Sequence, residues 1–357
     1  PIRHMVLIGE GDVPHDITYE TLLAGAEPEV PAEPEETDDV VLMYTGGTTG
    51  LPKGVLLDHR AEILNLYHVA MTIDFDPESR YLHQTPMFHA ASMSAVLGIP
   101  AAGGTSVFIP LFDPGAAMAL IEEHQVTQTV MVPTMIAMVL QHPEFAPERL
   151  ASLTDLTYGA SPMPSAILDE LLAMYSDMNI NQGYGMTESS AVLTFLTAAD
   201  HRAGGPRLRS AGRPLPGVTL SIRDEEGNEV PRGETGEVWA RAGNFMKEYW
   251  NKPEATADTV KDGWLYTGDI CTWDADGFIT ICDRKKDMII SGGENIYPAE
   301  LENVLAGCPE VQEAAVIGVA SEKWGETPLA IVVAAPGTAP TPESLKAYCR
   351  DNLAGYK

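Results

Sequence analysis

Between Tyr44 and Val55 the chain reads "YTGGTTGLPKGV", placing four glycines, three threonines and one lysine directly after the apolar run "VVLM". Glycines let backbone N–H groups converge on a polyanion, threonine hydroxyls add donors, and the lysine adds a point charge, so the segment reads as a phosphate-binding loop. It is not a Walker A loop, because Lys53 follows Pro52 and precedes Gly54, whereas that motif needs glycine before the lysine and Ser or Thr after it. An ordinary solvated turn between two elements has the same composition.

Further stretches combine glycine, hydroxyl and charge at the ends of expected strands, where open α/β sheets bind ligands: "YGASPMP" at Tyr158, "NQGYGMTES" at Asn181, "YTGD" at Tyr266 and "DRKKDMIISGGENIYPAE" at Asp283. Each has a plainer role available. Tyr184 serves equally as a packed core aromatic, Glu188 as a first-turn carboxylate facing a helix dipole, Asp269 as a turn residue, and His89 in "PMFHAAS" as a partly buried histidine. It is their joint occurrence, in this order, that points to one site.

The elements that must position these residues follow from periodicity. Residues 27–39, "EPEVPAEPEETDD", are acidic and Pro-rich and read as a surface linker. From there to about Asn181 short apolar runs alternate with helix-length segments: "SVFIP" then "PGAAMALIEEHQ", "VTQTVMVP" then "TMIAMVLQH", "LTDLTYG" then "PSAILDELLAMY". That alternation predicts a mainly parallel sheet covered by helices. Between Arg207 and Ala242 short β-like runs predict a small antiparallel subdomain, with "TLSIRDEEGNEV" bending at Glu226-Gly227-Asn228. After Asp287 two helical and two strand-like segments predict a compact α+β unit.

Composition narrows the function. The 357 residues, 45% hydrophobic, fill more than one core, and no apolar stretch approaches the ~18 residues of a membrane span. A formal charge of -29, from 51 acidic and 22 basic residues, repels nucleic acid and anionic lipid, so any phosphate site must rely on local cations and backbone donors. Cys271, Cys282, Cys308 and Cys349 form no CxxC pair and have no histidine at metal-ligand spacing, which predicts reduced thiols and a cytoplasmic protein.

The ordered motifs closely resemble those of the AMP-forming acyl-CoA ligases of the adenylate-forming superfamily, from Val40 to Lys357. The resemblance implies a large mixed α/β adenylate-forming domain with a small β-rich subdomain over residues 1–286, then a small mobile α+β C-terminal domain over 287–357. It also implies a chain truncated at both ends, since "NLAGYK" stops before the family's lysine-bearing tail. Thr45, Gly46, Gly47, Thr48, Thr49 and Lys53 would hold the ATP phosphates, with Gly47 standing where most relatives carry serine. Tyr184 would stack on adenine beside Gly159, Ala160, Ser161, Gly183 and Gly185, Thr187 would contact phosphate, and Glu188 would hold Mg²⁺. Asp269 would bind the ribose, with Arg284 near. His89, Met93, Val132, Pro133, Gly159 and Gly185 would line the acyl pocket. Lys286 would be the hinge, and Ser291, Gly292, Gly293 and Glu294 would border coenzyme A.

The implied reaction converts an apolar carboxylic acid, a medium- or long-chain fatty or aryl acid, to an acyl-adenylate and then to acyl-CoA, releasing pyrophosphate and AMP. The partners implied are the acid, ATP, Mg²⁺ and CoA, with no prosthetic group and no nucleic acid, and a homodimer is left open. Two other functions fit the same motifs: loading of a carrier-protein thiol, separable by comparing CoA with an acyl carrier protein, and a catalytically silent nucleotide-binding module, ruled out by acid-dependent pyrophosphate release.

Overall fold

The computed structural model describes residues 3–45, 52–292, 294–321, 323–355 and 357. They fall into two compact units, Pro1–Glu36 and Thr37–Lys357. In the smaller, the parallel strands Val6–Leu7 and Ile17–Thr18 precede the helix Tyr19–Ala24, whose first turn is capped by Thr18 Oγ1 accepting from Thr21 N at 3.2 Å.

In the larger unit the expected alternation of strand and helix builds a seven-stranded sheet. Its parallel part runs, in spatial order, Thr105–Phe108, Arg80–His83, Gln128–Met131, Asp155–Gly159, Asn179–Tyr184. Thr194–Leu196 and Arg213–Pro214 extend it antiparallel. Leu82, Met131, Leu156, Tyr158 and Ile180 point from these strands into a core completed by the helices Pro114–His124, Pro133–Leu140 and Ser165–Met174. These strands are apolar in short runs because a parallel sheet is buried on both faces.

The antiparallel region is larger than its sequence texture suggests. Thr219–Arg223, Thr235–Arg241, Trp264–Trp273 and Ile279–Arg284 form one sheet that continues well past Ala242. "YTGD" lies inside the ten-residue strand Trp264–Trp273, so Asp269 is neither a turn residue nor a strand end. Gly268 sits at the break in pairing with Thr235–Arg241, where register shifts between Glu237 and Trp239, whereas toward Ile279–Arg284 the shift comes later, between Ile270 and Cys271. A third sheet orders Glu248–Tyr249, Lys53–Asp58 and Asp39–Thr45. Beyond Asp287 the strands Ile289–Ser291, Glu294–Ile296, Val311–Ser321 and Gly325–Ala334 pack under the helices Pro298–Ala306 and Pro342–Asn352, an α+β arrangement with its own core of Ile289, Ile296, Leu301, Leu305 and Val316.

The helix His59–Ala70, capped by Asp58 Oδ1 on Ala61 N at 2.8 Å, carries a carboxyl group inward. Glu62 is 2% exposed and neither side-chain oxygen has a hydrogen-bond partner. Burial raises its pKa from 4.5 to about 7. Between those values the folded chain holds the proton that the unfolded chain has released, so stability present at acid pH is lost as pH rises through this window. Glu62→Gln therefore removes that loss. In denaturant unfolding at pH 8 the variant should be more stable than the parent by about 3 kcal/mol, and the two should converge near pH 4.5. Equal stabilities at pH 8 would show that Glu62 is ionised and solvated in the folded protein.

Candidate active site

A cavity of about 1310 Å³ opens where the C-terminal ends of the parallel strands meet the antiparallel sheet. Drug-sized ligands fill roughly 300–1,000 Å³. The excess leaves room for two reactants side by side.

The strand ends supply the floor. Gly159 and Gly183 pair directly across Asp155–Gly159 and Asn179–Tyr184, and a Cβ on Gly159 would stand 2.4 Å from Gly183 O. A Cβ on Gly185 would stand 2.2 Å from Ala191 O. At both positions backbone passes backbone too closely for a side chain. Ala160 follows with φ +67°, an uncommon conformation for a residue bearing Cβ, and also lines the cavity. Ser161 is exposed and outside the lining.

Thr187 and Glu188 sit in the short 3-10 turn Thr187–Ser189 and both face the cavity. Glu188 is 6% exposed, and its Oε1 accepts from Tyr249 Oη at 2.5 Å. Lys53 Nζ lies 3.9 Å from the centroid of the same tyrosine ring. Burial, then the Glu188 charge, holds the Tyr249 phenol far above its ordinary pKa, so it stays a donor. Tyr249 thus links the glycine-threonine loop to the carboxylate. Sequence reading missed it, and no motif around "KEYW" signals it, because it arrives by pairing with Val55 in the three-stranded sheet. The loop's two ends are clamped by the pair Thr45 and Lys53, with Thr45 Oγ1 3.4 Å from Lys53 O. Gly46, Gly47, Thr48 and Thr49 lie outside the described residues.

Asp269 and Arg284 oppose each other across Trp264–Trp273 and Ile279–Arg284. Arg284 Nε meets Asp269 Oδ1 at 2.8 Å, and Tyr184 Oη donates to Asp269 Oδ2 at 2.6 Å. Asp269 is 3% exposed. Burial raises its pKa, opposed by the Arg284 charge and the Tyr184 hydroxyl. Arg284 lines the cavity, whereas Tyr184 and Asp269 stand just behind the lining, the tyrosine packed against the antiparallel core. Nearby, Lys285 Nζ bonds Glu237 Oε2 at 3.0 Å while Glu237 Oε1 receives Gly268 N at 3.3 Å, an arrangement that sequence reading also missed.

The other predicted positions divide. His89, Val132, Gly159 and Gly185 line the cavity. His89 is exposed, not partly buried, and caps the helix Ala90–Ala102 by accepting from Ala91 N at 3.2 Å. Met93 and Pro133 are outside the lining. On that helix Ala90, Ala91, Ser94 and Ala95 face the cavity, which turns Met93 to the side, and Pro133 is buried in the first turn of Pro133–Leu140. Lys286 reaches the cavity and lies 3.7 Å from Asp287 Oδ2. Ser291, Gly292 and Glu294 do not; Gly292 N instead donates to Trp324 O at 2.7 Å. Gly293 lies outside the described residues.

Comparisons with known proteins match this geometry. The family described as AMP-binding enzyme matches residues 2–250, and the AMP-binding enzyme C-terminal domain matches residues 300–357. The chain is 42% identical to a feruloyl-CoA synthase of Amycolatopsis sp, covering 94% of this chain and 68% of the relative. It is 39% identical to a fatty acid–[acyl-carrier-protein] ligase of Streptomyces coeruleorubidus, covering 96% and 64%. Among solved structures, o-succinylbenzoate CoA synthetase from Bacillus subtilis in complex with its acyl-adenylate intermediate superposes with a TM-score of 0.87 at 32% identity, over 98% of this chain and 72% of that one. The chain therefore belongs to the AMP-binding enzyme family, among the AMP-forming acyl-CoA ligases of the adenylate-forming superfamily. It spans about two thirds of the length of the curated relatives it matches.

Proposed function

We propose that the cavity activates an apolar carboxylic acid with ATP and passes the acyl group to CoA. The observation carrying this reading is that one cavity holds both a polar end, with Lys53, Thr187, Glu188 and Arg284, and an apolar end walled by Phe75, Ala95, Val130 and Val132. A carboxylate oxygen of the acid attacks the α-phosphorus, the bond to the leaving pyrophosphate breaks, and the acyl-adenylate forms. The CoA thiol then attacks the acyl carbon, AMP leaves with the bonding pair, and the thiol proton goes to solvent. The protein's part is alignment and charge neutralisation.

In this reading Lys53 and the backbone of the glycine-threonine loop hold the β- and γ-phosphates, and Thr187 donates to phosphate. Asp269, fixed by Arg284 and Tyr184, takes the ribose hydroxyls, and His89 borders the reacting carboxylate. One buried carboxylate on the wall, Glu188, suits Mg²⁺ carried by a triphosphate, an ion that keeps waters and phosphate oxygens as its other ligands and neutralises charge on those oxygens. The domain boundary is placed at Lys286, with residues 287–357 turning as a unit to bring Ser291 through Glu294 toward the acyl-adenylate. The separate sheet and core beyond Asp287 support it. Four free cysteines among the described residues support a reducing compartment, the cytoplasm.

Incubation with an acid, ATP, Mg²⁺ and CoA should yield AMP and pyrophosphate in equal amounts; stoichiometric ADP and phosphate would overturn the reading. The carrier-protein ligase among the relatives favours a second acceptor, an acyl carrier protein, and replacing CoA with one in the same assay distinguishes the two.

A further inference from the structure

The helix Pro298–Ala306 takes its N-terminal cap from another part of the chain. Its N-cap residue, Tyr297, makes no side-chain capping bond, and Pro298 at the first helical position has no N–H, so Ala299 N is the first donor the helix presents. Asp283 Oδ2 accepts from it at 2.9 Å. The other oxygen, Asp283 Oδ1, accepts from Arg284 N at 2.7 Å, which holds the carboxylate against its own strand. An acidic side chain at a helix start is favoured both by this bond and by the helix dipole.

Asp283 lies on the other side of the boundary placed at Lys286. It belongs to Ile279–Arg284 and stands opposite Ile270 in the large antiparallel sheet, whereas the helix gives Leu301 and Leu305 to the separate core beyond Asp287. Successive strand residues face opposite sides, and here the two sides have different uses. Arg284 lines the cavity and meets Asp269, while Asp283, outside the lining, reaches the helix. At the hinge itself Asp287 N and Met288 N donate to Arg284 O; the bond from Asp283 to Ala299 adds a tie between positions 16 residues apart.

A unit that turns about Lys286 carries Ala299 with it and leaves Asp283 behind in its sheet. In the orientation seen, with the cap made, Ser291, Gly292 and Glu294 stand outside the cavity. A turn large enough to bring them to the cavity separates donor from acceptor, so the cap stabilises the orientation seen and not the one with the loop inward.

We propose that Asp283 is a positioning residue that latches residues 287–357 in the orientation seen, by capping the helix Pro298–Ala306 across the hinge, and that the cap is released for transfer to CoA. This rests on the reading that residues 287–357 turn as a unit, and it names a contact that sets the balance between the two half-reactions.

The test measures those half-reactions separately: acid-dependent exchange of labelled pyrophosphate into ATP, and acyl-CoA formation from preformed acyl-adenylate and CoA. Asp283→Ala should slow exchange without slowing transfer, raising the ratio of transfer to exchange by about threefold to tenfold. Asp283→Asn keeps an oxygen able to cap and should return the ratio most of the way to that of the parent. In the parent protein, native-state hydrogen exchange at the first-turn amides of Pro298–Ala306 should quicken several-fold when an unreactive acyl-adenylate analogue and CoA are both bound. An unchanged ratio in Asp283→Ala, both rates falling together, equal shifts in the Ala and Asn variants, or unchanged amide exchange in the parent would each overturn the latch. Lys286→Pro, which fixes φ at the hinge, separates the two ideas. If it alters the ratio where Asp283→Ala does not, the turning unit stands without the latch; if neither alters it, both fall. Absence of both half-reactions in the parent would overturn the latch together with the activity it serves.

Discussion

Glu188→Gln should slow acid-dependent pyrophosphate release by about tenfold to a hundredfold at fixed Mg²⁺, with little change in the acid concentration giving half-maximal rate. The substitution keeps the shape of the side chain and an oxygen able to accept from Tyr249 Oη, now 2.5 Å from Oε1, so the turn Thr187–Ser189 should hold. What it removes is the negative charge of a side chain only 6% exposed on the cavity wall. Hydrogen bonds and close contacts that involve a charge are worth roughly 1.5–3 kcal/mol, and each ~1.4 kcal/mol is tenfold in rate. A metal contact that matters only when phosphate charge rearranges appears in rate more than in acid binding. The check is single-turnover pyrophosphate release at saturating ATP. An unchanged rate would return Glu188 to the part of an ordinary turn carboxylate.

Asp269→Ala should raise the ATP concentration for half-maximal rate by about tenfold or more and also cost stability, roughly 1–3 kcal/mol. The two effects have separate origins. Asp269 Oδ2 accepts from Tyr184 Oη, and without it that hydroxyl, in a packed tyrosine, has no carboxylate to meet. Arg284, half exposed, loses its partner at 2.8 Å but keeps access to water, so it adds little to the loss. For nucleotide binding, an ionised acceptor facing a diol makes strong charge-assisted bonds that alanine cannot make. Initial rates across ATP concentrations, paired with denaturant unfolding, separate the two. A stability loss with unchanged ATP dependence would give Asp269 a purely structural part and place the ribose elsewhere.

These expectations also mark what was legible in the chain itself. The parallel strands were, because short runs such as "LTDLTYG" alternate with helix-length segments, and Asp155–Gly159 falls inside that run, its Leu156 and Tyr158 packing against the helices. The glycines at 159 and 185 were legible as ligand-binding texture, and the structure adds why: their backbones pass carbonyls too closely for a side chain. Asp269 was misplaced in secondary structure because "TGD" has the chemistry of a turn, whereas here the glycine interrupts pairing with Thr235–Arg241 inside a long strand. Tyr249 was invisible. Its position depends on a two-residue strand meeting Lys53–Asp58 from nearly two hundred positions later, and nothing local encodes such a pairing.

The most direct test of acid activation is exchange of labelled pyrophosphate into ATP without CoA. If the carboxylate attacks the α-phosphorus and a bound acyl-adenylate forms, the step runs backward as well as forward, and label should enter ATP only when acid and Mg²⁺ are both present. Adding CoA should drain the intermediate, lower the exchange and release AMP. Absence of exchange with every acid that supports AMP formation, or exchange that proceeds equally without acid, would contradict the account.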